Sequence, residues 1–175
     1  MRQGRLLLAL VAALWGPSGP AAAQDLGPIV HEGIVEASLD KVWAAFTTSD
    51  GLRAWLAPHA EIDFRIGGLM RTNYNPQGRL GDPQTIENVI LSFEPRRMLS
   101  VRVAKPPENF PFPNAIRQMW TVVYFEAAGP DRTTVREVSL GFGADEESQR
   151  MRAFFNQGNA TTLAQLQKHF AAQPQ

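Results

Sequence analysis

The chain has 175 residues, 17 of them basic and 17 acidic, so its formal net charge is zero. A near-neutral chain without a basic block gives no electrostatic reason to expect nucleic acid or an anionic membrane surface as a partner. It has no cysteine, which excludes disulfides, thiol catalysis, Cys-ligated zinc and a lipid anchor on an N-terminal cysteine.

Residues 1–23 have the pattern of a Sec-type signal peptide. Arg2 and Arg5 form a basic start, Leu6 to Trp15 is apolar, and Gly16, Pro17, Gly19 and Pro20 break any helix. Ala21-Ala22-Ala23 offers a small-residue cleavage site, which places the cut after Ala23. The apolar run is shorter than the roughly 20 residues that span a bilayer, so no stable membrane anchor is expected. The expected product is a single domain over residues 24–175, periplasmic or secreted. Without Arg2 and Arg5 it carries two more acidic than basic side chains. It is long enough to rely on its own core for stability.

Ile29 to Ala37 alternates and predicts a strand. Ser38 then serves as a helix N-cap, with Asp40 in the positive first turn and Val42, Trp43 and Phe46 on one apolar face. Ser49 or Asp50 caps a second short helix that carries Leu52, Trp55 and Leu56 and is stopped by Pro58. Two strands, Glu61 to Ile66 and Leu69 to Tyr74, flank Gly67-Gly68 as a hairpin. Four more are predicted over Gln84 to Phe93, Met98 to Ala104, Arg117 to Glu126 and Thr133 to Phe142. From Asp145 to about Ala171 the period is helical again, with Met151, Phe154, Phe155, Leu163, Leu166 and Phe170 in one stripe. Gly158 interrupts that stripe, which predicts a kink or a close approach of something else. The order is strand, two short helices, six strands and a long helix. That is an α+β fold in which a curved antiparallel sheet wraps the terminal helix, with space left between them.

Several motifs in this order resemble a known family. "VEASLDKVWAAFTTSDGLRAWLAP" (35–58), "IGGLMR" (66–71), "FEPRRML" (93–99) and "SLGF" (139–142) before a long helix resemble the Hsp90-ATPase-activator-homologue-like branch of the Bet v 1-like (START/SRPBCC) superfamily. The resemblance covers residues 29 to 171. It implies the helix-grip fold and a cavity for an apolar or amphipathic small molecule. Members often carry a histidine in the last strand, where this chain has Ser139, so no role of that histidine transfers. The stretch "KPPENFPFPNAI" (105–116) is longer and richer in proline than the family pattern. An exported protein would not meet a cytosolic ATP-driven chaperone, so the family name does not give the function.

His59, Glu61 and Asp63 alternate on one strand and so share a face. They have the chemistry of a metal site, but Arg65 continues the row and favours a plain solvated face. The opposite row, Ile62, Phe64 and Ile66, is then the side of interest. "GFG" at 141–143 lacks the further glycine of a dinucleotide loop, and Glu146 and Glu147 would repel phosphate. His31 and His169 have no evident partner. Asn159-Ala160-Thr161 matches a glycosylation sequon but falls inside a predicted helix. No metal or cofactor is expected.

Aromatic residues on elements that would face one interior are more informative. Among the strands, Arg71, Asn73, Asn88, Arg117 and Glu137 interrupt apolar alternation. The candidate ligand-binding set is Trp43, Phe64, Arg71, Tyr74, Trp120, Tyr124, Glu137, Phe154 and Gly158. The leading expectation is an exported protein that binds an apolar or lipid-like molecule between sheet and terminal helix. The alternative is an enzyme of the polyketide-cyclase or hydratase kind, with Glu137 and either Arg117 or Tyr74 as its acid–base set. A third is a partner-binding module that uses Phe110 and Phe112 of the 105–116 loop. A histidine–carboxylate couple facing the cavity would favour the enzyme.

Overall fold

The computed structural model describes residues 27–172. The signal-peptide expectation and Gln24 therefore lie outside the described residues. In chain order the elements are β1 (Ile29–Val35), α1 (Leu39–Thr47), α2 (Ser49–Trp55), β2 (His59–Ile62), β3 (Leu69–Asn73), β4 (Ile86–Glu94) and β5 (Met98–Lys105). A 3-10 turn (Ala115–Arg117), β6 (Trp120–Gly129), β7 (Arg132–Leu140) and α3 (Glu146–Ala171) follow. The seven strands form one antiparallel sheet in the order β1-β7-β6-β5-β4-β3-β2, with α3 against its inner face. This is the expected α+β helix-grip architecture.

Local chemistry sets the boundaries. Ser38 occupies the N-cap of α1 without a side-chain cap bond. The α2 cap is Thr48 and not Ser49 or Asp50, which fall in the helix's first turn; the Thr48 Oγ1 accepts from Gly51 N–H at 3.0 Å. Asp145 caps α3 by accepting from Ser148 N–H at 2.9 Å and from Ser148 Oγ at 2.7 Å. Strand β2 ends at Ile62, earlier than the alternation suggests, because residues 63–68 fold into tight turns. Asp63 O accepts from Arg65 N–H, and Gly67 and Gly68 bond to the Ile90 backbone of β4. Ile66 is consequently 65% exposed, so the Ile62–Ile66 row does not stay on one buried face. Arg117 lies in the 3-10 turn, not in β6. α3 runs unbroken past Gly158.

Two apolar clusters make the core. One joins Val35, Val42, Ala45, Ile90, Leu99, Phe125 and Val135 to Leu166 and Phe170 in the second half of α3, with Trp43, Phe64 and Phe93 packed against it. The other joins Ile29, Phe142 and Met151 to Phe112, Ile116 and Met119 of the loop before β6. Between them the sheet forks. β5 pairs with β6 only over Met98–Val101 and Thr121–Tyr124, yet it continues to Lys105 beside β4. Past Val101 the two strands part, and the proline-rich loop fills the angle. Gly141, at φ 86°, lets β7 turn hard against the Gln118 backbone at the base of that loop.

Candidate functional site

The fork and the helix bound an open-mouthed cavity of about 590 Å³ between the sheet and α3. Its wall is mainly apolar. Phe46, Leu52, Trp55 and Leu56 come from α1 and α2 and the residue after it, and Met70, Leu99, Val101, Val103 and Val123 from the sheet. Met119, Trp120, Phe154 and Phe155 close the side next to the loop. Asn88, Thr121, Glu137, Asn159, Thr162 and Gln165 supply polar atoms, and Tyr74 and Arg102 stand at the exposed edge.

Glu137 is the acidic group of this lining. It lies on β7 directly across from Val123 of β6 and His31 of β1, so the three side chains share the inner face. It also lines a hollow of about 20 Å³ further in, with Phe46, Val135 and Leu166. Among the described residues its carboxyl has neither a hydrogen-bond nor an ion-pair partner. Burial alone pushes its pKa from 4.5 up to about 7. Beside it, the Nε2 of His31 is buried without a hydrogen-bond partner. Tyr74 is half exposed, but burial of its hydroxyl end raises its pKa; a bond with Thr72 lowers it, and the Glu137 carboxyl adds a smaller upward push.

Next to Glu137 on the same face, Ser139 is fully buried. Its Oγ meets Thr121 Oγ1 at 3.1 Å and accepts from Asn159 Nδ2 at 2.9 Å. The position where the family pattern favours histidine is thus a satisfied tie between sheet and helix. Asn159, buried in that tie, is not available as a glycosylation site.

Tyr74, Trp120, Glu137, Phe154 and Gly158 of the expected set line the cavity. A Cβ added at Gly158 meets nothing within 4 Å, so the glycine opens onto space instead of admitting a close neighbour. Four of the set lie elsewhere. Trp43 and Phe64 meet edge-on, with centroids 5.7 Å apart, packed against the core. Arg71 is on the outer face, donating to Glu61 at 2.7 Å and 3.6 Å from Glu87. Tyr124 is also on the outer face, under the Arg136 guanidinium at 5.8 Å. Of the other strand polar residues, Asn88 lines the cavity. Asn73 is buried and organises the following turn, donating to Arg79 O and accepting from Asn75 N–H.

The His59, Glu61, Asp63 row makes ordinary surface contacts: Glu61 with Arg71, Asp63 with Arg65 at 2.8 Å, and His59 Nε2 at 3.3 Å from Pro76 O. No group of three or more His, Asp or Glu among the described residues is placed to hold a metal ion. Phe112 is buried, and Phe110 and Phe112 pack edge-on against each other and onto Phe154. Glu147 holds the loop to α3 by accepting from Asn114 N–H, Asn114 Nδ2 and Ala115 N–H. The two rings therefore do not form an exposed docking patch.

The residue that sequence patterning missed is His31. β1 alternates Ile29, His31, Gly33, Val35 on its inner side, which marks His31 as inward, but only the pairing of the first strand with the last brings it to Glu137.

Residues 36–171 match the family model described as "Activator of Hsp90 ATPase homolog 1-like protein". No curated protein sequence matches the chain. Among solved structures, the Aha1 dimer from Colwellia psychrerythraea superposes with a TM-score of 0.63 at 19% identity, over 82% of this chain and 95% of that one. CalU16 from Micromonospora echinospora gives 0.59 at 21%, over 85% and 76%. Norcoclaurine synthase from Thalictrum flavum gives 0.60 at 14%, over 96% and 99%. At these identities the structures attest the fold. With the family model covering nearly all the described residues, the chain belongs to the Hsp90-ATPase-activator-homologue-1-like family, a branch of the Bet v 1-like (SRPBCC) superfamily.

Proposed function

We propose that this protein is exported and holds an apolar small molecule in the cavity between its sheet and α3. The observation that carries this reading is the cavity itself: about 590 Å³, mainly apolar, with a few placed polar groups. Ligand sites typically have that size and character. The fold of norcoclaurine synthase, whose X-ray structure is a complex with dopamine and hydroxybenzaldehyde, supports the capacity to house small aromatic molecules. The basic start, apolar run and alanine site of residues 1–23 support export. Two measurements test the reading. Titration with the neutral fluorophore phenylnaphthylamine should saturate at one probe per chain, and N-terminal sequencing of the natural protein should begin at Gln24. Absence of saturable binding would remove the first half of the proposal, and a chain retaining Met1 the second.

A second reading has its own support. Glu137, its pKa pushed up to about 7 by burial, shares a cavity with Tyr74 and lies across from His31 on the inner face. A carboxyl poised near neutrality suits general acid–base work on a carbonyl compound of the polyketide kind. On that reading Glu137→Gln abolishes turnover of a bound substrate while leaving its affinity within about threefold.

A further inference from the structure

We propose that the cavity selects cationic amphiphiles, an apolar body ending in an ammonium group, by meeting that group with the Glu137 carboxyl at its inner end. The inference rests on the cavity being a ligand site and specifies its ligand. Three observations carry it. First, Glu137 sits inside: it belongs both to the main cavity and to the small hollow beyond, whose other walls are core residues such as Phe46 and Leu166. Second, nothing in the described chain satisfies it. Its cross-strand neighbour Val123 is apolar, His31 stands beside it without a bond between them, and Thr162 of α3 makes its hydroxyl bond to Gly158 O at 3.0 Å instead. Third, the charges of the lining are arranged along the cavity. Arg102 is its cation and lies exposed at the edge, whereas the carboxyl lies within.

A carboxyl in an apolar wall is costly when nothing bonds to it, because burial strips its water and returns no hydrogen bond. A ligand's ammonium would return both charge and donors in a low-dielectric space, where a charge-assisted hydrogen bond is stronger than a neutral one. A ligand carboxylate would meet like charge at the same depth and be refused. Selectivity then follows from one side chain, while the apolar wall supplies affinity regardless of the ligand's end group. Tyr74 and His31 are the other titratable groups near Glu137, and neither has a bond to it that would compete with a ligand.

The test uses three dansyl sulfonamides with alkyl tails of equal length that end in a methyl, an ammonium or a carboxylate group. They are titrated into the full-length mature protein above pH 7, where the Glu137 carboxyl is mostly ionised. The expected result is that the ammonium probe binds about tenfold tighter than the methyl probe, and the carboxylate probe about tenfold weaker. Glu137→Gln, which keeps the shape, should bring all three within about threefold of one another. Glu137→Leu serves as the second variant and should give the same levelling. Equal binding of the three probes by the natural protein, or preference for the carboxylate, overturns the inference while the cavity reading stands. So does equal weakening of all three by Glu137→Gln, which would make the carboxyl structural. Failure of the methyl probe to bind at all overturns the cavity reading, and the inference with it.

Discussion

The two faces of the sheet treat their charges in opposite ways. On the outer face Arg71 sits between Glu61 and Glu87, Arg132 faces Glu36, and Arg136 faces Glu32 while covering Tyr124. On the inner face Glu137 has no such partner, and the one histidine beside it is likewise unbonded at Nε2. Both faces are built from the same strands, one residue apart: Arg136 points out and Glu137 in. Exposed ion pairs contribute little, about 0–1 kcal/mol each, because water already serves both partners. A half-buried carboxyl with no partner, facing an apolar wall, costs more than any of those pairs contributes. The well-paired face is therefore weak evidence for anything, and the unpaired residue is the informative one, since no interaction among the described residues offsets its cost.

The largest expected effect follows from that cost. In the folded chain Glu137 has its pKa raised from 4.5 to about 7, so between those pH values the folded state holds a proton that the unfolded state has lost. Stability must then fall as pH rises through that window, by at most about 3 kcal/mol at 1.4 kcal/mol per unit. Denaturant melts across the window should show this fall, and Glu137→Gln should flatten it. At lower pH the slope reverses. Ser148 N–H holds the Asp145 pKa below its ordinary value, and Ala115 and Asn114 N–H do the same for Glu147. The stability those two contribute is present above their unfolded pKa values and is lost as pH falls through the folded ones.

Somewhat smaller is the direct gain from Glu137→Leu above pH 7, where the carboxyl would otherwise be ionised. It should stabilise the chain by about 2 kcal/mol in chemical denaturation. A loss of stability instead would mean that the carboxyl has a bonding role, and the contrast between the faces would collapse. Gly158→Leu should raise stability by several tenths of a kcal/mol through helix propensity, because the new side chain enters open space. It should also weaken phenylnaphthylamine binding by about tenfold by occupying the cavity. A destabilisation of about 1–3 kcal/mol would indicate a filled site there. The smallest effect belongs to the outer face: Arg71→Gln should cost less than about 1 kcal/mol and leave probe affinity unchanged. Replacing His59, Glu61 and Asp63 by serine should leave metal content unchanged as well, measured by elemental analysis of the purified protein.

Most of the fold was legible because periodicity reports faces directly. The seven strands and three helices follow the alternation and the helical stripes, and the differences sit at ends. β2 stops at Ile62 since the turn that follows bonds to β4, and Arg117 is helical since the loop before β6 packs Ile116 and Met119 into a core cluster. Parity alone places Glu137 and Tyr74 inward and could also have placed Arg71 and Tyr124 outward, against Met70 and Val123 within. Trp43 and Phe64 show a different limit. A ring against other rings and a ring against empty space have the same hydrophobicity, so no pattern in the sequence separates core from cavity wall. His31 shows a third: its importance depends on register between the first and last strands, a contact that no local signal encodes.

If the cavity between α3 and the sheet is a ligand site, an apolar probe must fill it. The most direct measurement is a paired phenylnaphthylamine titration of the natural chain and Gly158→Leu, at equal and verified foldedness. Saturable binding of one probe per chain, weakened about tenfold by the substitution, is the expected result. No saturable binding by the natural chain, or identical binding by both, would contradict it.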